Sequence, residues 1–284
     1  MIAVVTDTCA SIPPEVVREL QIEVVPYYIH RNGETLRDVL DIAHDEFYRW
    51  LPTAQRLPTT ANPGPGDYLQ AFQRLAERGA TAIVSVHMTS KGSGAYQAAR
   101  TAQEMAEAQL PGVAIRVVDT LQVSMVHGYA ALEAARVAHD GASLEEVVGA
   151  AEHVSRVGCM FQAADTLRYL YMGGRIGRAK HLVGTLLNVK PIVSMEEGIV
   201  VPVGQARSMA QAYAKIAQLV VERTPPGRPI KLAITHTACP DRAQALQEAI
   251  TRRVQCVEVL VSQLSPALGV HTGPGMVGAN FFPV

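Results

Sequence analysis

Short apolar runs alternate with longer amphipathic segments through the first half of the chain, and this alternation limits the fold more than any other feature. Apolar runs at 2–7, 80–87 and 113–119 read as strands, and helical patterns cover 68–78 and 124–139. Strands that alternate with helices at this spacing favour a parallel sheet with helices on both faces. The sequence therefore predicts an α/β fold.

The pattern changes near Arg156, where a second α/β unit is predicted to begin. Two apolar runs at 190–203, joined by Glu197-Gly198, indicate a β-hairpin, and further strands and a helix follow. We expect two domains: a parallel-sheet N-terminal domain at 1–156 and a smaller α/β C-terminal domain at 157–265. The tail, 266–284, is predicted to return to the first domain.

Composition excludes several classes of protein. The formal charge of the 284-residue chain is −1, so no overall basic field attracts nucleic acid. The four cysteines and nine histidines show no metal-ligand spacing, and the N-terminus has no signal-peptide pattern, so we expect a cytoplasmic protein without a metal site. No apolar run approaches the roughly 18 residues that a membrane span needs.

One loop has the features of an anion site. The stretch 89–96 is rich in hydroxyls and glycines, follows an apolar strand and precedes a helix. Unpaired N–H groups and the helix dipole favour an anion at such a helix start. Ser93 is predicted to be the N-cap, and Gly94 lets a ligand approach the backbone. Capping alone would explain Ser93 equally well.

Two other loops present polar side chains. Thr60 and Asn62 lie in 52–66, where dense prolines predict an ordered, extended loop. His271 lies beside several glycines, in a setting suited to a polar site. Ordinary turn chemistry, or a histidine with no role beyond its loop, explains these residues as well. Hydroxyls at a helix N-terminus with a nearby histidine suit a small carboxylate or phosphate group.

The same residues admit an enzymatic interpretation. In a serine hydrolase or acyltransferase, Ser93 would be the nucleophile and His271 the base, oriented by Asp7 or Asp119. Lys91 stands where a nucleophile elbow requires glycine, which argues against this alternative.

Taken in order, the loop motifs resemble those of the DegV family over essentially the whole chain. The chain departs from the family pattern at Ala61, Asn62, Lys91-Gly92 and Ala95, and Ala95 removes one hydroxyl near the predicted head-group site. The matching stretches are Asp7-Thr8, Thr60-Ala61-Asn62-Pro63, Ser90, Ser93-Gly94, Tyr96-Gln97, Gly173-Gly174-Arg175-Ile176, Leu186-Leu187-Asn188-Val189-Lys190-Pro191, Arg207 and His271-Thr272-Gly273-Pro274-Gly275.

The resemblance implies a protein that binds one long-chain fatty acid and is not itself an enzyme. The carboxylate would lie between the domains, held by Thr60 and Ser93, with His271, Gly94 and Asn62 close by. No cofactor is implied. A separate fatty acid kinase subunit would convert the presented carboxylate to an acyl phosphate. Transient contact of the protein with a membrane surface is also compatible with the resemblance.

The resemblance also suggests where the acyl chain and the partner would lie. The helices predicted within 166–187 carry enough apolar side chains to line a tunnel, although plain core packing would use the same residues. Arg175, Lys190 and Arg207 lie at element ends near the predicted site, where they would contact the kinase subunit. A solvated charge or a loop-bracing ion pair is the alternative for each of them.

Overall fold

The computed structural model describes residues 1–182 and 189–284. Its strands are β1 (Ile2–Asp7), β2 (Glu23–Val25), β3 (Tyr28–Arg31), β4 (Glu34–Arg37), β5 (Thr59–Ala61), β6 (Ala82–His87), β7 (Ala114–Asp119), β8 (Cys159–Ala163), β9 (Lys190–Glu196), β10 (Ile199–Ala206), β11 (Ile230–His236), β12 (Cys256–Gln263) and β13 (Val277–Pro283). Its α-helices are α1 (Pro14–Glu19), α2 (His44–Trp50), α3 (Pro65–Glu77), α4 (Ala95–Gln109), α5 (Ser124–His139), α6 (Leu144–Val157), α7 (Arg168–Met172), α8 (Met209–Arg223), α9 (Pro240–Thr251) and α10 (Pro266–Thr272). Short 3₁₀ turns cover Thr8–Ala10, Leu51–Thr53 and Gly177–Leu182.

The first sheet has the strand order β2-β1-β6-β7, and all its pairs are parallel. Successive side chains of a strand point to opposite faces. Val5 and Ile83 accordingly pack with α3 and α4, whereas Val4 and Val84 pack with α5 and α6. The prediction of a parallel sheet covered on both faces is confirmed, and the mixed α/β class with it.

The second sheet has the order β10-β9-β8-β13-β11-β12 and is mixed, since only β11 and β12 run parallel to each other. Helices α8 and α9 cover one face, where Phe281 packs with Ile216 and Leu246. The other face meets α5, and the rings of Tyr129 and Phe282 lie 5.2 Å apart. Helices α5 and α6 therefore lie between the two sheets and connect them through one apolar core.

The prediction that 266–284 returns to the first domain is wrong for its last strand. β13 pairs antiparallel with both β8 and β11 at the centre of the second sheet. It is apolar except for Asn280, and its side chains are buried on both faces, as a central strand requires. α10 lies against α2, β3 and β5 of the first domain, and just before it the Leu264 carbonyl accepts the Tyr48 hydroxyl at 2.8 Å.

The apolar stretch 22–31 forms two strands that belong to different sheets. β2 joins the parallel sheet, and β3 forms a small antiparallel sheet with β4 and β5. Pro26 lies between them and has no N–H to continue a ladder. This small sheet carries Thr60, which lies opposite Ile29 on β3 and beside α10.

Candidate functional site

A cavity of about 390 Å³ lies between the carboxyl edge of the parallel sheet and the β9–β10 hairpin. Ligands of open α/β sheets bind at that edge. The cavity brings together all five residues that the sequence predicted for the head group, although they come from three separate stretches of the chain. Thr60, Asn62, Ser93, Gly94 and His271 all line it.

Ser93 is the centre of a hydrogen-bonded group at the start of α4. Gly94, and not Ser93, is the N-cap residue of that helix, so the predicted cap is one residue out. The Ser93 Oγ accepts the N–H of Ala95 at 3.2 Å and lies 2.7 Å from the Tyr27 hydroxyl. Burial raises the pKa of Tyr27 well above its usual range, so this phenol keeps its proton.

His271 and Thr60 form the second polar group. The His271 Nε2 lies 3.0 Å from the Thr60 Oγ1, and the ring nitrogen Nδ1 is buried without a hydrogen-bond partner. Burial, followed by the positive charge of Arg175, lowers the pKa of His271 to about 4. The imidazole is therefore neutral near pH 7.

Close packing explains two of the glycines around these groups. A Cβ on Gly94 would lie 2.9 Å from the Asn62 Oδ1, and one on Gly173 would lie 2.2 Å from the His271 Nδ1. Neither distance leaves room for a side chain. The backbone of α4 can therefore approach Asn62, and the His271 ring occupies the space above Gly173.

Apolar side chains form the remaining walls of the cavity. They come mainly from β8, the β9–β10 hairpin and the region before and within α10: Met160, Val193, Met195, Ile199, Val200, Leu264, Ala267 and Leu268, with Met88 and Val123 from the first-sheet side. The tunnel predicted from 166–187 is placed only in part. Leu170 lines the cavity, Leu167 and Ile176 are buried in a small core with Val193, and Met172 is 55% exposed.

Val183, Leu186 and Leu187, which also belong to the predicted tunnel, lie outside the described residues, as does the Leu186-Leu187-Asn188 part of the family motif. Sequence reasoning missed the contribution of the hairpin. Its two apolar runs within 190–203 indicated only buried strands, because such side chains look the same whether they face a core or a cavity.

The three predicted partner-contact residues have different surroundings. The exposed Arg175 lines the cavity and donates from Nη1 to the Gly173 carbonyl at 2.7 Å. Lys190 forms an ion pair with Asp165 at 2.8 Å, and Asp165 also binds Arg242. Arg207 is exposed at the end of the hairpin. Lys190 thus braces a loop, which was the alternative interpretation for it.

The alternative catalytic triad is not assembled. The His271 ring binds Thr60 and makes no hydrogen bond to Ser93 within the described residues. Asp7 is fully buried, accepts the Cys9 N–H at 3.0 Å and lies 3.2 Å from the Nδ1 of His87. Asp119 accepts backbone N–H groups of its own and a neighbouring loop. Neither carboxylate orients His271.

Within residues 1–182 and 189–284, no three His, Cys, Asp or Glu side chains are grouped closely enough to hold a metal ion. Of the helices described, none is both long and apolar enough to cross a membrane.

Comparison with known proteins identifies the family. A family model for uncharacterised proteins of the DegV family matches residues 1–284. A DegV domain-containing protein of Streptomyces coelicolor is 35% identical over 278 residues, which cover 98% of this chain and 96% of the relative. The structure of a fatty-acid-binding DegV family protein from Thermus thermophilus superposes with a TM-score of 0.91 at 32% identity, covering 100% of this chain and 99% of the other. DegV of Bacillus subtilis, a fatty acid binding protein, gives a TM-score of 0.89 at 28% identity, with coverages of 100% and 99%. These matches confirm the resemblance inferred from the loop motifs, and the chain belongs to the DegV family.

Proposed function

We propose that this protein binds one long-chain fatty acid, with the carboxylate at Thr60, Ser93 and His271 and the acyl chain along the apolar walls. The observation that carries this proposal is one cavity that combines the hydroxyl groups of Thr60 and Ser93 with a mainly apolar wall. The fatty acid binding of the Thermus thermophilus and Bacillus subtilis relatives supports it.

The hydrogen bonds of the two hydroxyls suit a carboxylate acceptor. The Ser93 Oγ accepts from the Ala95 N–H and can accept from Tyr27, so its own proton is free to be donated into the cavity. When the His271 Nε2 donates to the Thr60 Oγ1, the Thr60 proton is likewise free to be donated into the cavity. Two such donors and the start of α4 satisfy a carboxylate without a buried cation.

The apolar walls provide the larger part of the affinity. Burial stabilises each methylene by roughly 0.8 kcal/mol, so a chain of about 16 carbons gains on the order of 10 kcal/mol before the cost of association. The cavity volume of about 390 Å³ lies within the 300–1,000 Å³ range of small-molecule sites. The polar end then sets the orientation of the ligand.

Extraction of the purified protein tests this proposal. We expect denaturation, organic extraction and mass spectrometry to recover about one fatty acid per chain, and delipidated protein to bind a labelled fatty acid again. An empty protein that also fails to bind the labelled acid would refute the proposal. Hydrolysis of activated esters that is lost in Ser93→Ala would support the serine hydrolase instead.

We further propose that the bound carboxylate is presented to a separate fatty acid kinase subunit in the cytoplasm, where ATP is available. Arg175 supports this step because it is exposed and lines the cavity, so a positive charge borders the route to the carboxylate. Arg207, and Lys190 beyond its ion pair, would add to the contact surface. Guanidinium groups suit both acidic side chains and phosphate.

The presentation step is tested separately from binding. We expect Arg175→Ala and Arg207→Ala to retain fatty acid affinity but to lose acyl phosphate formation with the kinase subunit and ATP. Arg253→Ala is the matched control, because Arg253 is exposed just after α9 and does not line the cavity. Normal kinase turnover with both variants would show that the partner docks elsewhere.

A further inference from the structure

One polar residue in the cavity wall has no evident structural role. Ser124 is fully buried, lines the cavity, and its hydroxyl has no hydrogen-bond partner anywhere in the described residues. A buried hydroxyl without a partner costs roughly 1–3 kcal/mol. Alanine would give the same wall without that cost, so the hydroxyl needs an explanation.

The backbone at Ser124 is also unusual. Its φ is +58°, in the left-handed region that residues other than glycine rarely adopt, and it is the first residue of α5. The N-cap residue of this helix, Val123, gives no side-chain cap, and it lines the cavity as well. The first N–H groups of a 16-residue helix lack partners within the helix and carry the positive end of its dipole. This helix start therefore offers donors to an oxygen.

A second polar residue lines the same cavity from the second sheet. Gln162 and Met160 alternate with Phe161 on β8, and the first two line the cavity while Phe161 packs under α8 and α9. Gln162 is only 7% exposed, and its amide makes no hydrogen bond to any other described residue. A plain hydrocarbon chain would leave both the hydroxyl and the amide unpaired.

We propose that Ser124, Gln162 and the start of α5 form a second polar subsite, which binds a hydroxyl group on the acyl chain of a hydroxylated long-chain fatty acid. A hydroxyl group on the ligand fits because it can both donate and accept a hydrogen bond. The serine hydroxyl and the glutamine amide can do the same, so each can pair with it. None of the hydrogen bonds of Thr60, Ser93 or His271 involves this subsite. The inference rests on the proposed fatty acid binding and specifies its substrate class.

The test measures the affinity of delipidated protein for stearic acid and for hydroxystearic acids with the hydroxyl at successive positions along the chain. We expect one positional isomer to bind at least as tightly as stearic acid, and the others to bind about tenfold or more weakly, because their hydroxyl is buried unpaired. In Ser124→Ala, the preferred isomer should lose about three- to tenfold in affinity relative to stearic acid measured on the same variant.

Controls separate the possible failures. Ser194→Ala is the matched control, because Ser194 is a buried serine on β9 that does not line the cavity. Gln162→Met is a second variant that tests the same subsite if Ser124→Ala does not fold. Weaker binding of every isomer than of stearic acid, or equal losses for both ligands in the variants, would overturn the subsite alone. Failure of the wild type to bind stearic acid would instead refute the proposed function.

Discussion

A methyl group added at Gly173 tests how the candidate head-group site holds its histidine. Gly173 has φ −77° and ψ −4°, so alanine fits its backbone without strain. The added Cβ would nevertheless lie 2.2 Å from the His271 Nδ1, against a lower limit of 3.4 Å for ordinary contact. In Gly173→Ala the imidazole must therefore move by about 1 Å or more, away from its 3.0 Å contact with the Thr60 Oγ1.

The expected cost has two parts. Overpacking of a buried contact costs about 1–3 kcal/mol, and a lost neutral hydrogen bond costs about 0.5–1.5 kcal/mol. Urea unfolding of the ligand-free variant should therefore show a loss of about 1.5–4.5 kcal/mol in the free energy of unfolding. Fatty acid titration should show weaker binding as well, because Thr60 loses the partner that orients its proton.

A double-mutant cycle isolates the steric cause. A His271→Ala background removes the clash with the ring and leaves only a 3.1 Å contact with the Tyr169 carbonyl oxygen, so Gly173→Ala should cost far less there than in the wild type. Gly149→Ala is the matched control, because Gly149 lies on α6 and an added Cβ there would have no neighbouring atom within 4 Å. Equal costs of Gly173→Ala in both backgrounds would refute the argument that His271 occupies the space above Gly173.

Three further results are expected. Thr60→Val and Ser93→Ala should each weaken fatty acid binding by about 1–3 kcal/mol in titrations of delipidated protein, and unchanged affinity in both would remove them from the site. The pKa of His271 is about 4 in the folded protein and 6.5 in the unfolded chain, so between these values the unfolded chain is protonated and the folded protein is not. The free energy of unfolding, measured in urea, should therefore decrease as the pH falls from 6.5 to about 4. His271→Gln should remove this pH dependence of stability, and an unchanged pH dependence in the variant would contradict the lowered pKa of His271. Burial raises the pKa of Asp38 to about 7, so its folded state holds a proton that the unfolded chain releases near 3.8. Stability should then fall as the pH rises between these values, and the same measurement on Asp38→Asn should show this loss removed.

Local sequence patterns predicted which segments form strands and helices better than they predicted which strands pair with one another. The parallel sheet followed from strands that alternate with helices, because each such unit packs next to its neighbours in sequence. The strand β13 was assigned to the wrong domain because its apolar pattern records burial on both faces but not which strands it pairs with. Pro26 was the available mark of the break between β2 and β3, since proline cannot donate to a ladder.

The polar part of the cavity was predictable, and most of its apolar part was not. Thr60, Ser93 and His271 are unusual in the sequence because hydroxyls and a histidine lie in or beside glycine- and proline-rich stretches, although the structure places Thr60 on β5 and His271 on α10. Residues such as Val193 and Met195 look like any buried strand, because the same apolar side chains stabilise a core and line a cavity.

Ser124 was predictable only as the start of a helix. Serine is favoured at helix caps, so its presence there gives the sequence no reason to suggest a ligand. The distinguishing facts are its left-handed backbone and its buried, unpaired hydroxyl in a cavity wall, and both exist only once α5 is placed against the two sheets. The unpaired Ser124 hydroxyl therefore indicates a ligand with a polar group along its chain, because a plain hydrocarbon chain would leave that hydroxyl unpaired.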